Sequence, residues 1–339
     1  AFVPSMANPF LTPLHVRVRT CIQQRHLLPD RDRILIAVSG GQDSLCLLKI
    51  LSDIAPRHHW ELFVLHCNHR WSDRETEGAT FVRTLVRETF QLPCEVATAE
   101  VITPDENRSR QWRYGELARW AERWNCQSVV TGHTRSDRAE TFLYNLMRGT
   151  GVRGLTSLDW SRPLTRERSL TPRLVRPLLE VSRDETGQFC QEQQLPVWED
   201  DFNRDLTHPR NRLRHDVIPY LKQHFNPQVD LALHRTSVTL QAESDYLQQQ
   251  TELLWRQAYD NSPPPRLHVE PLRQAHVALQ RRVVRRYLQQ VLPYAPNFEG
   301  TEEVRSLLHA PQRSRTSTLP GEFWGIREGT SVLLRQGVF

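Results

Sequence analysis

The 339-residue sequence lacks several features that would each point to a class of protein. Its six cysteines never pair as Cys-x-x-Cys, which argues against a zinc ribbon, an iron–sulfur cluster or a dense disulfide scaffold. No window approaches the ~20 uninterrupted apolar residues that a membrane span needs. We therefore predict a cytoplasmic protein with reduced thiols and no membrane segment.

Lysine is almost absent, because Lys49 and Lys222 are the only two in the chain. The formal net charge of +5 thus comes almost entirely from arginine. Arginine makes forked contacts to phosphate, so the composition favours a polyanionic partner, although a compositional bias of the genome would give the same pattern. The stretch 148–183 is basic, with eight arginines and three acids.

The apolar pattern predicts an α/β fold with a doubly wound, mainly parallel sheet. Strand-like runs are expected at 33–39, 61–67, 94–101, 128–132 and 173–178. Amphipathic helices are expected between them, at 43–55 (closed by Pro56), 73–90, 106–125 and about 137–148.

We divide the chain into an N-terminal extension over 1–14, a catalytic domain over 15–225 and a smaller, mostly helical C-terminal domain over 226–339. In the last of these, helices are expected at 228–259, 275–291 and 301–309, a proline-rich linker at 261–266 and strand-like pieces within 317–336. Met6 is the expected start, and the first ten residues lack the pattern of a secretory signal.

The sharpest motif is Ser39-Gly-Gly-Gln-Asp43-Ser44, between the first predicted strand and helix. Two glycines let the backbone approach an anion, and the helix N-terminus offers free N–H groups. The two serines add hydroxyl donors, and Asp43 supplies a carboxylate suited to Mg²⁺. The segment is not a Walker A loop, because the lysine and the spacing of that motif are absent. It resembles the pyrophosphate loop of the N-type ATP pyrophosphatases, which implies an adenine-nucleotide α-hydrolase-like fold and cleavage of ATP between its α- and β-phosphates.

Further segments narrow the resemblance. They are HCNHR at 66–70, RQWRY at 110–114, TGHTRSDRAET…RGTG at 131–151, DFNRD at 201–205 and PRNRLRH at 209–215. Together with the loop they resemble the tRNA(Ile)-lysidine synthetase family, strongly over about 15–225 and weakly beyond. The resemblance implies that ATP adenylates the wobble cytidine of the tRNA(Ile) with a CAU anticodon, after which lysine displaces AMP.

The resemblance also implies roles for individual residues. The expected catalytic residues are Asp43, Arg113, His133 and Asp137. ATP is expected to bind Ser39, Gly40, Gly41, Gln42, Asp43, Ser44, His66 and Asn68, with Mg²⁺ on Asp43. The tRNA is expected to contact Arg148, Arg153, Arg210, Arg212 and Arg214. Asp137 is the first choice, and Glu140 the second, to hold the lysine ammonium and accept its proton. Many relatives carry an acid where this chain has Ser136, so essential chemistry is not expected at that position.

Several of these residues also have a purely structural interpretation. Asp137 and Glu140 can be favourable acids in a first helical turn, and Arg110 and Arg113 can be solvated side chains. His66, Cys67 and His69 have no nearby partner set, which argues against zinc. The tryptophans at 112, 120 and 124 recur at helical spacing and are expected in the core.

Three other functions fit part of the pattern. A tRNA thiolase shares the loop, but it uses reactive or cluster-bound cysteines, and Cys-x-x-Cys is missing here. A small-molecule ligase resembling GMP synthetase would leave the arginine-rich 148–183 and 204–214 stretches without a use. A tRNA-binding protein with a degenerate loop is disfavoured by the intact SGGQDS. A homodimer is compatible with the sequence.

Overall fold

The computed structural model describes residues 11–70, 73–100, 105–156, 158–165, 172–198 and 209–337. It forms two compact units, the first ending at Val238 and the second beginning at Thr239. This division lies inside the long helix α10 (Val229–Ala258), whereas the sequence analysis places the boundary just before that helix. The first turns of α10 pack on the first unit, where His234 meets the ring of Trp160 edge-on.

The first unit is built on a six-stranded sheet in the order β3-β2-β1-β4-β6-β5. The strands are β1 (Arg33–Ala37), β2 (Glu61–Asn68), β3 (Cys94–Thr98), β4 (Ser128–Thr131), β5 (Ser161–Pro163) and β6 (Arg173–Val175). All neighbours pair in parallel except β5, which is antiparallel to β6. The predicted doubly wound, mainly parallel sheet is therefore confirmed.

Helices cover both faces of this sheet. The first seven are α1 (Pro13–Gln24), α2 (Gln42–His58), α3 (Asp73–Leu85, continued by a wider turn to Phe90), α4 (Glu106–Arg123), α5 (Arg135–Met147), α6 (Val152–Leu155) and α7 (Arg183–Glu192). After the gap at 199–208 come α8 (Pro209–Arg212), a π-helical turn (Leu213–Val217) and α9 (Ile218–His224).

The side chains of β1 show why this strand is apolar throughout. Ile34 and Ile36 point into one core, which is built largely from α1, α2 and α7, while Leu35 points into a second core on the other face. Alternate residues of a strand face opposite sides, so a strand covered on both faces needs no polar position. The three α4-region tryptophans pack against the second core, as predicted.

Two local predictions were wrong. Helix α2 does not stop before Pro56 but continues to His58, because a proline in the last turn removes only one hydrogen bond and His58 is held by Asp30 (Nδ1–Oδ1 2.7 Å). The fifth predicted strand ends at Val175 rather than at 178, and the antiparallel edge strand β5 was missed. Pro163 lies at the end of β5, an edge position that tolerates proline.

The order of the strands creates the crevice in which the candidate site lies. The chain moves outward from β1 to β2 and β3, then returns to place β4 on the other side of β1. Such a reversal separates the loops that follow the two neighbouring strands, and open α/β sheets bind their ligands there. The loops after β1 and β4 carry the sharpest sequence motifs.

The second unit combines helices with a four-stranded antiparallel sheet in the order β7-β8-β10-β9. Its elements after α10 are β7 (Tyr259–Asp260), β8 (Arg266–His268), α11 (Val269–Gln274), α12 (Val277–Val291), α13 (Phe298–Ser306), β9 (Phe323–Glu328) and β10 (Ser331–Gln336). Tyr287 is fully buried at its centre, where its hydroxyl donates to Pro265 O (2.8 Å) and accepts from Leu334 N (3.1 Å). No helix in the described part of the chain is long and apolar enough to cross a membrane.

Candidate active site

The loop between β1 and α2 is closed by its own serines. Ser39 N donates to Ser44 Oγ (3.1 Å), and Ser44 Oγ donates to Gly41 O (2.9 Å). Gly40 has φ +93°, and a Cβ there would lie 3.0 Å from Val82 Cγ2 and 3.2 Å from Trp198 Cβ. The left-handed backbone and these close neighbours together require glycine. The backbone N–H groups at the start of α2 consequently face the crevice as a phosphate-binding end of a helix.

The end of β4 lies directly against this helix end. A Cβ on Gly132 would come within 2.9 Å of Asp43 O and 3.0 Å of Ser44 N, so only glycine allows the two backbones to lie so close. The glycine of the TGH motif therefore brings His133 and the start of α5 up to the phosphate-binding loop.

Asp43, in the first turn of α2, projects toward α7. Arg183 Nε donates to its Oδ2 (3.1 Å), and the hydroxyl of Thr186 donates to its Oδ1. Burial raises the pKa of Asp43, and the nearby Asp137 raises it further, while Arg183 opposes both effects. Asp43 and Asp137 thus lie close enough for each carboxylate to disfavour the charge of the other, and Arg183 contacts both.

Asp137 is the third residue of α5, where it completes a capping box with Thr134, and it also contacts Arg183. Its Oδ2 accepts from Thr134 N (2.7 Å) and Thr134 Oγ1 (2.8 Å), which is one half of a capping box. Its Oδ1 accepts from Arg183 Nη2 (3.0 Å). Burial alone would raise the pKa of Asp137, but Arg183, His133 and the cap outweigh it and hold this pKa at about 2. Asp137 is therefore both a helix cap and a permanent anion of the crevice.

Glu140 lies one turn further along α5 and is almost fully buried. Arg214 donates two hydrogen bonds to Glu140, from Nε to Oε1 and from Nη2 to Oε2, both 2.8 Å long. Burial raises the pKa of Glu140 in spite of this partner. The sequence analysis assigned Arg214 to tRNA, whereas the structure places its side chain against Glu140 and Asp137 inside the crevice.

Arg183 is the residue that sequence reasoning missed. Its three guanidinium nitrogens contact Asp43, Asp137 and Glu140 at 3.1, 3.0 and 3.4 Å, so it neutralises the acids that come from two helices. In the sequence, Arg183 is one of the eight arginines of the basic stretch 148–183, and no role in the site is predicted for it. The available signal was the capping box of Ser182 and Glu185, which marks a helix start right after the last parallel strand.

His133 is enclosed between the acids and a set of arginines. Its Nδ1 lies 2.8 Å from Thr131 Oγ1. Burial lowers the pKa of His133 well below its usual value, and Arg176, Arg113 and Arg110 lower it further, while Asp137 opposes them. The imidazole is consequently neutral at physiological pH, a weak proton acceptor that can still accept a hydrogen bond.

Some predicted ATP-binding residues have structural contacts. His66 is buried with its Nδ1 2.8 Å from Val38 O, and Asn68 Oδ1 accepts from Arg70 N (2.9 Å). Gln42 Nε2 donates to Arg183 O (2.6 Å) and Thr186 Oγ1 (3.1 Å), which ties the start of α2 to α7. These side chains order the rim of the crevice, and direct contact with ATP stays a prediction for all three.

Ser136 takes part through its hydroxyl rather than through charge. Its Oγ accepts a hydrogen bond from Arg183 N (3.1 Å) and so helps to place the residue that neutralises the acids. The neighbouring Arg138 is buried and donates to Leu158 O (Nε 3.2 Å), with its guanidinium 5.1 Å from the ring centre of Trp160. Position 138 therefore supports packing.

Two of the remaining predicted tRNA contacts lie near one aromatic ring, and the other two are exposed. Arg148 and Arg210 flank the ring of Tyr144, at 5.2 and 5.7 Å from its centre. Arg153 and Arg212 are exposed. Arginines that alternate with an accessible aromatic ring are suited to phosphates and bases together.

Comparisons with known proteins agree with this geometry. A family model described as a PP-loop domain matches residues 13–221, and one described as the TilS substrate binding domain matches residues 267–327. The U34-tRNA thiolase NcsA from Methanococcus maripaludis superposes with a TM-score of 0.56 over 67% of this chain and 78% of its own, at 16% identity, which shows a shared fold.

Curated relatives cover nearly the whole chain. A tRNA(Ile)-lysidine synthase of Synechococcus sp. (strain JA-2-3B'a(2-13)) is 52% identical over 93% of this chain and 95% of its own. The enzyme of the same name from Nostoc sp. (strain PCC 7120) is 46% identical over 96% and 98%. A chloroplastic one from Zygnema circumcarinatum is 33% identical over 83% and 76%. The resemblance seen in the motifs is confirmed, and the chain belongs to the tRNA(Ile)-lysidine synthase family, whose members use ATP through a PP-loop domain.

Proposed function

We propose that this chain makes lysidine at the wobble cytidine of the tRNA(Ile) with a CAU anticodon. In the first step ATP adenylates the C2 oxygen of the cytosine and pyrophosphate leaves. In the second step the ε-amine of L-lysine attacks C2 and AMP leaves. The names of the relatives and the match to a substrate-binding domain support this reaction.

The observation that carries the proposal is a ready-made cation site beside the phosphate-binding loop. Asp43, Asp137 and Glu140 converge on the guanidinium of Arg183. An ammonium has the same charge and is more compact, so the lysine side chain can replace a guanidinium among these carboxylates. A site that binds ATP phosphates and a primary ammonium side by side fits ATP-dependent ligation of lysine.

In the first step the start of α2 binds the phosphates through free backbone N–H groups and the Ser39 hydroxyl. Asp43 is proposed to hold Mg²⁺, since carboxylate oxygens suit this ion and nucleotide sites use one or two of them together with phosphates. The described residues offer no group of three metal-binding side chains, but Asp43 and Asp137 would both become available if Arg183 withdrew. When bound, Mg²⁺ would offset charge that develops on the pyrophosphate.

In the second step the two acids of α5 have different roles. Asp137, with a pKa near 2, is a weak proton acceptor and serves to orient the ammonium. Glu140 has a raised pKa and is better matched to accept the proton that lysine must lose before it attacks. This reverses the order of preference that the sequence analysis gave to the two residues.

The test is a single-turnover assay with purified protein, a transcript of the CAU-anticodon tRNA, ATP and labelled lysine. Digested RNA is analysed for lysidine by mass spectrometry, and pyrophosphate is measured in parallel. Glu140→Gln should release pyrophosphate but transfer lysine on the order of 10²-fold more slowly. Asp184→Asn, which removes an exposed acid from the start of α7, is the matched control and should behave as wild type. Absence of lysidine with the wild-type protein would overturn the proposal.

The thiolase alternative is not favoured. Five of the six cysteines are buried and Cys67 is half-buried, and all are free thiols. Burial raises the pKa of Cys67 to about 12 and that of Cys94 to about 11, so these groups stay protonated and weakly nucleophilic. A thiolated nucleoside in the same mass-spectrometric assay would contradict this assignment.

Two further expectations belong to the same proposal. Free thiols are typical of a reducing compartment, which supports a cytoplasmic location. A homodimer remains a prediction, and measurement of the mass in solution would test it.

A further inference from the structure

Four arginines lie around the ring of Tyr114. Arg110 and Arg113 come from α4, Arg162 from β5, and Arg176 directly follows β6. The guanidinium carbons of Arg110, Arg113 and Arg162 lie 5.5, 5.6 and 5.2 Å from the centre of the ring. We call these four arginines and Tyr114 the arginine cage.

Arg176 shows that the cage is built and is not a chance surface cluster. Its side chain is 0% exposed, and its Nη1 donates to Asp159 O (2.6 Å). Its Nε and Nη2 are buried and form no well-aligned hydrogen bond in the described part of the chain, although the buried hydroxyl of Tyr114 lies beside the guanidinium. Buried charged donors are rarely left unpaired, because they lose water without compensation. The free donors of Arg176 therefore point to a missing acceptor.

The charge of the cage is also uncompensated. Arg183 and Arg214 each pair with carboxylates, whereas no described carboxylate forms an ion pair with any cage arginine. The effect is visible on Tyr114: burial would raise the pKa of its phenol, but Arg110, Arg113, Arg176 and Arg162 lower it to about 7. A phenol loses its proton so easily only in a strongly positive field.

The position of the cage relative to the proposed chemistry decides what it can bind. Arg176 follows β6 and His133 follows β4, at the same carboxyl edge of the sheet as the ATP loop. The pKa of His133 is lowered by burial, by Arg176 and by Arg113, so the imidazole lies near the cage, and it is raised by Asp137, one of the acids that contact Arg183. The crevice therefore has a cation-binding side and an anion-binding side that meet at His133.

We propose that the arginine cage binds a phosphate group of the RNA backbone next to the nucleotide that is modified. The inference rests on the proposed function and identifies which surface orients the RNA in the crevice. A lysine ammonium would be repelled by the cage. The phosphates of ATP are the other source of the same chemistry, but the loop after β1 already offers them backbone donors. Forked guanidinium groups match phosphate oxygens, so the unpaired nitrogens of Arg176 would find their acceptors there.

The first experiment compares two arginines of the same β-ribbon. Arg162→Gln removes a cage charge at a half-buried position, and Arg173→Gln removes an exposed charge that donates to Ser161 Oγ (3.0 Å) outside the cage. RNA binding of the wild type and both variants is measured against salt concentration. Arg162→Gln should weaken binding and lower the log–log salt slope by about 0.7–0.9, the change expected for one lost phosphate contact, while Arg173→Gln should not. Equal behaviour of the two variants would overturn the proposal.

The second experiment reads the occupancy of the cage directly, without activity. Tyrosine labelled with ¹³C at Cζ reports the protonation of each phenol by NMR, and Tyr114→Phe identifies the Tyr114 signal among the seven tyrosines. An anion in the cage neutralises the arginines, so it should raise the pKa of Tyr114. The probes are an anticodon stem-loop RNA, a non-hydrolysable ATP analogue and L-lysine, each added alone.

The outcomes distinguish RNA from ATP as the source of the anion. They also distinguish a failure of the phosphate site from a failure of the proposed function. A shift of the Tyr114 titration with RNA supports the RNA phosphate, and it would do so even if the wild-type enzyme formed no lysidine. A shift with the ATP analogue but not with RNA keeps a phosphate site and overturns its assignment to RNA. A shift with lysine alone, which would place the lysine carboxylate there, or no shift with any probe, overturns the phosphate site altogether.

Discussion

Asp43 is the residue at which the phosphate-binding loop and the acid group meet. Asp43→Asn keeps the shape of the side chain and removes the charge proposed to bind Mg²⁺. Pyrophosphate release should fall on the order of 10²-fold or more, whereas the affinity for tRNA should stay within a few fold. The two quantities are measured by a coupled pyrophosphate assay and by filter binding.

The same helix provides the control for Asp43. Asp53 is also largely buried and paired, with Lys49 Nζ 2.7 Å away and His15 Nε2 2.9 Å away, but it lies far along α2 from the loop. Asp53→Asn should lower the stability of the protein and leave the chemistry intact. Near-normal pyrophosphate release by Asp43→Asn would remove this residue from the metal site.

Asp137 allows the two chemical steps to be separated. The amide oxygen of Asp137→Asn can still accept the hydrogen bond from Thr134 N that completes the capping box of α5, so the fold should persist. Loss of the charge that orients the ammonium should slow lysine transfer on the order of 10²-fold while adenylation survives. Single turnover with α-labelled ATP and labelled lysine measures both steps. If both fall together, Asp137 belongs to the ATP or metal site, and if neither falls, Glu140 alone holds the lysine.

Single side chains were the hardest part to assign from sequence. The motifs pointed to the loop, to His133 and to the acids of α5, which the structure brings together because each follows a strand that the apolar pattern reveals. They could not show that Arg183 and Arg214 turn inward, since an arginine in a basic stretch has the same spacing whether it binds RNA or an internal acid. Only the packing of α7 and of the segment after residue 208 decides between the two.

At the scale of elements, the contact between β4 and α2 is the one on which the crevice depends. Gly132→Ala would place a methyl group 2.9 Å from Asp43 O and 3.0 Å from Ser44 N. Both of these are backbone atoms, which cannot rotate away. We expect a loss of about 1–3 kcal/mol in the free energy of unfolding and a marked loss of adenylation. Gly115→Ala is the control, because its Cβ would meet nothing within 4 Å on helix α4. This control should gain about 0.5–1 kcal/mol with unchanged activity, which thermal unfolding and pyrophosphate release can check.

The errors at this scale have local causes. A long apolar strand or an amphipathic helix is visible in the sequence because burial fixes its period. Strand β5 has only three residues and ends in proline, so it exists through its pairing with β6 and leaves no period of its own. Pro56 predicts the end of helix α2, but contacts of His58 with Asp30 and Trp60 stabilise one further turn.

At the scale of the molecule, arginines differ in whether a carboxylate already pairs with them. On α12 in the second unit, Arg281 pairs with Glu302 (2.7 Å) and Arg286 with Glu252 (2.6 Å). These pairs join helices, and each glutamate is shared with a second arginine, Arg305 for Glu302 and Arg256 for Glu252. In the first unit, Arg153 is exposed and forms no described ion pair. The net charge therefore does not show which arginines are free to meet RNA, and composition alone could not reveal it.

This difference predicts how salt acts on tRNA binding. Each phosphate that the protein neutralises contributes about −0.7 to −0.9 to the slope of log affinity against log salt concentration, so wild-type affinity should fall steeply with salt. Arg153→Gln should make the slope shallower by about that amount, because it removes an unpaired charge. Arg281→Gln removes a charge that is held in an ion pair with Glu302, so its slope should change less than that of Arg153→Gln. Binding measured over a series of salt concentrations decides the matter. A slope near zero for the wild type would reduce the exposed arginines to ordinary surface charge, and equal changes in both variants would show that ion pairing does not determine which arginines meet the RNA.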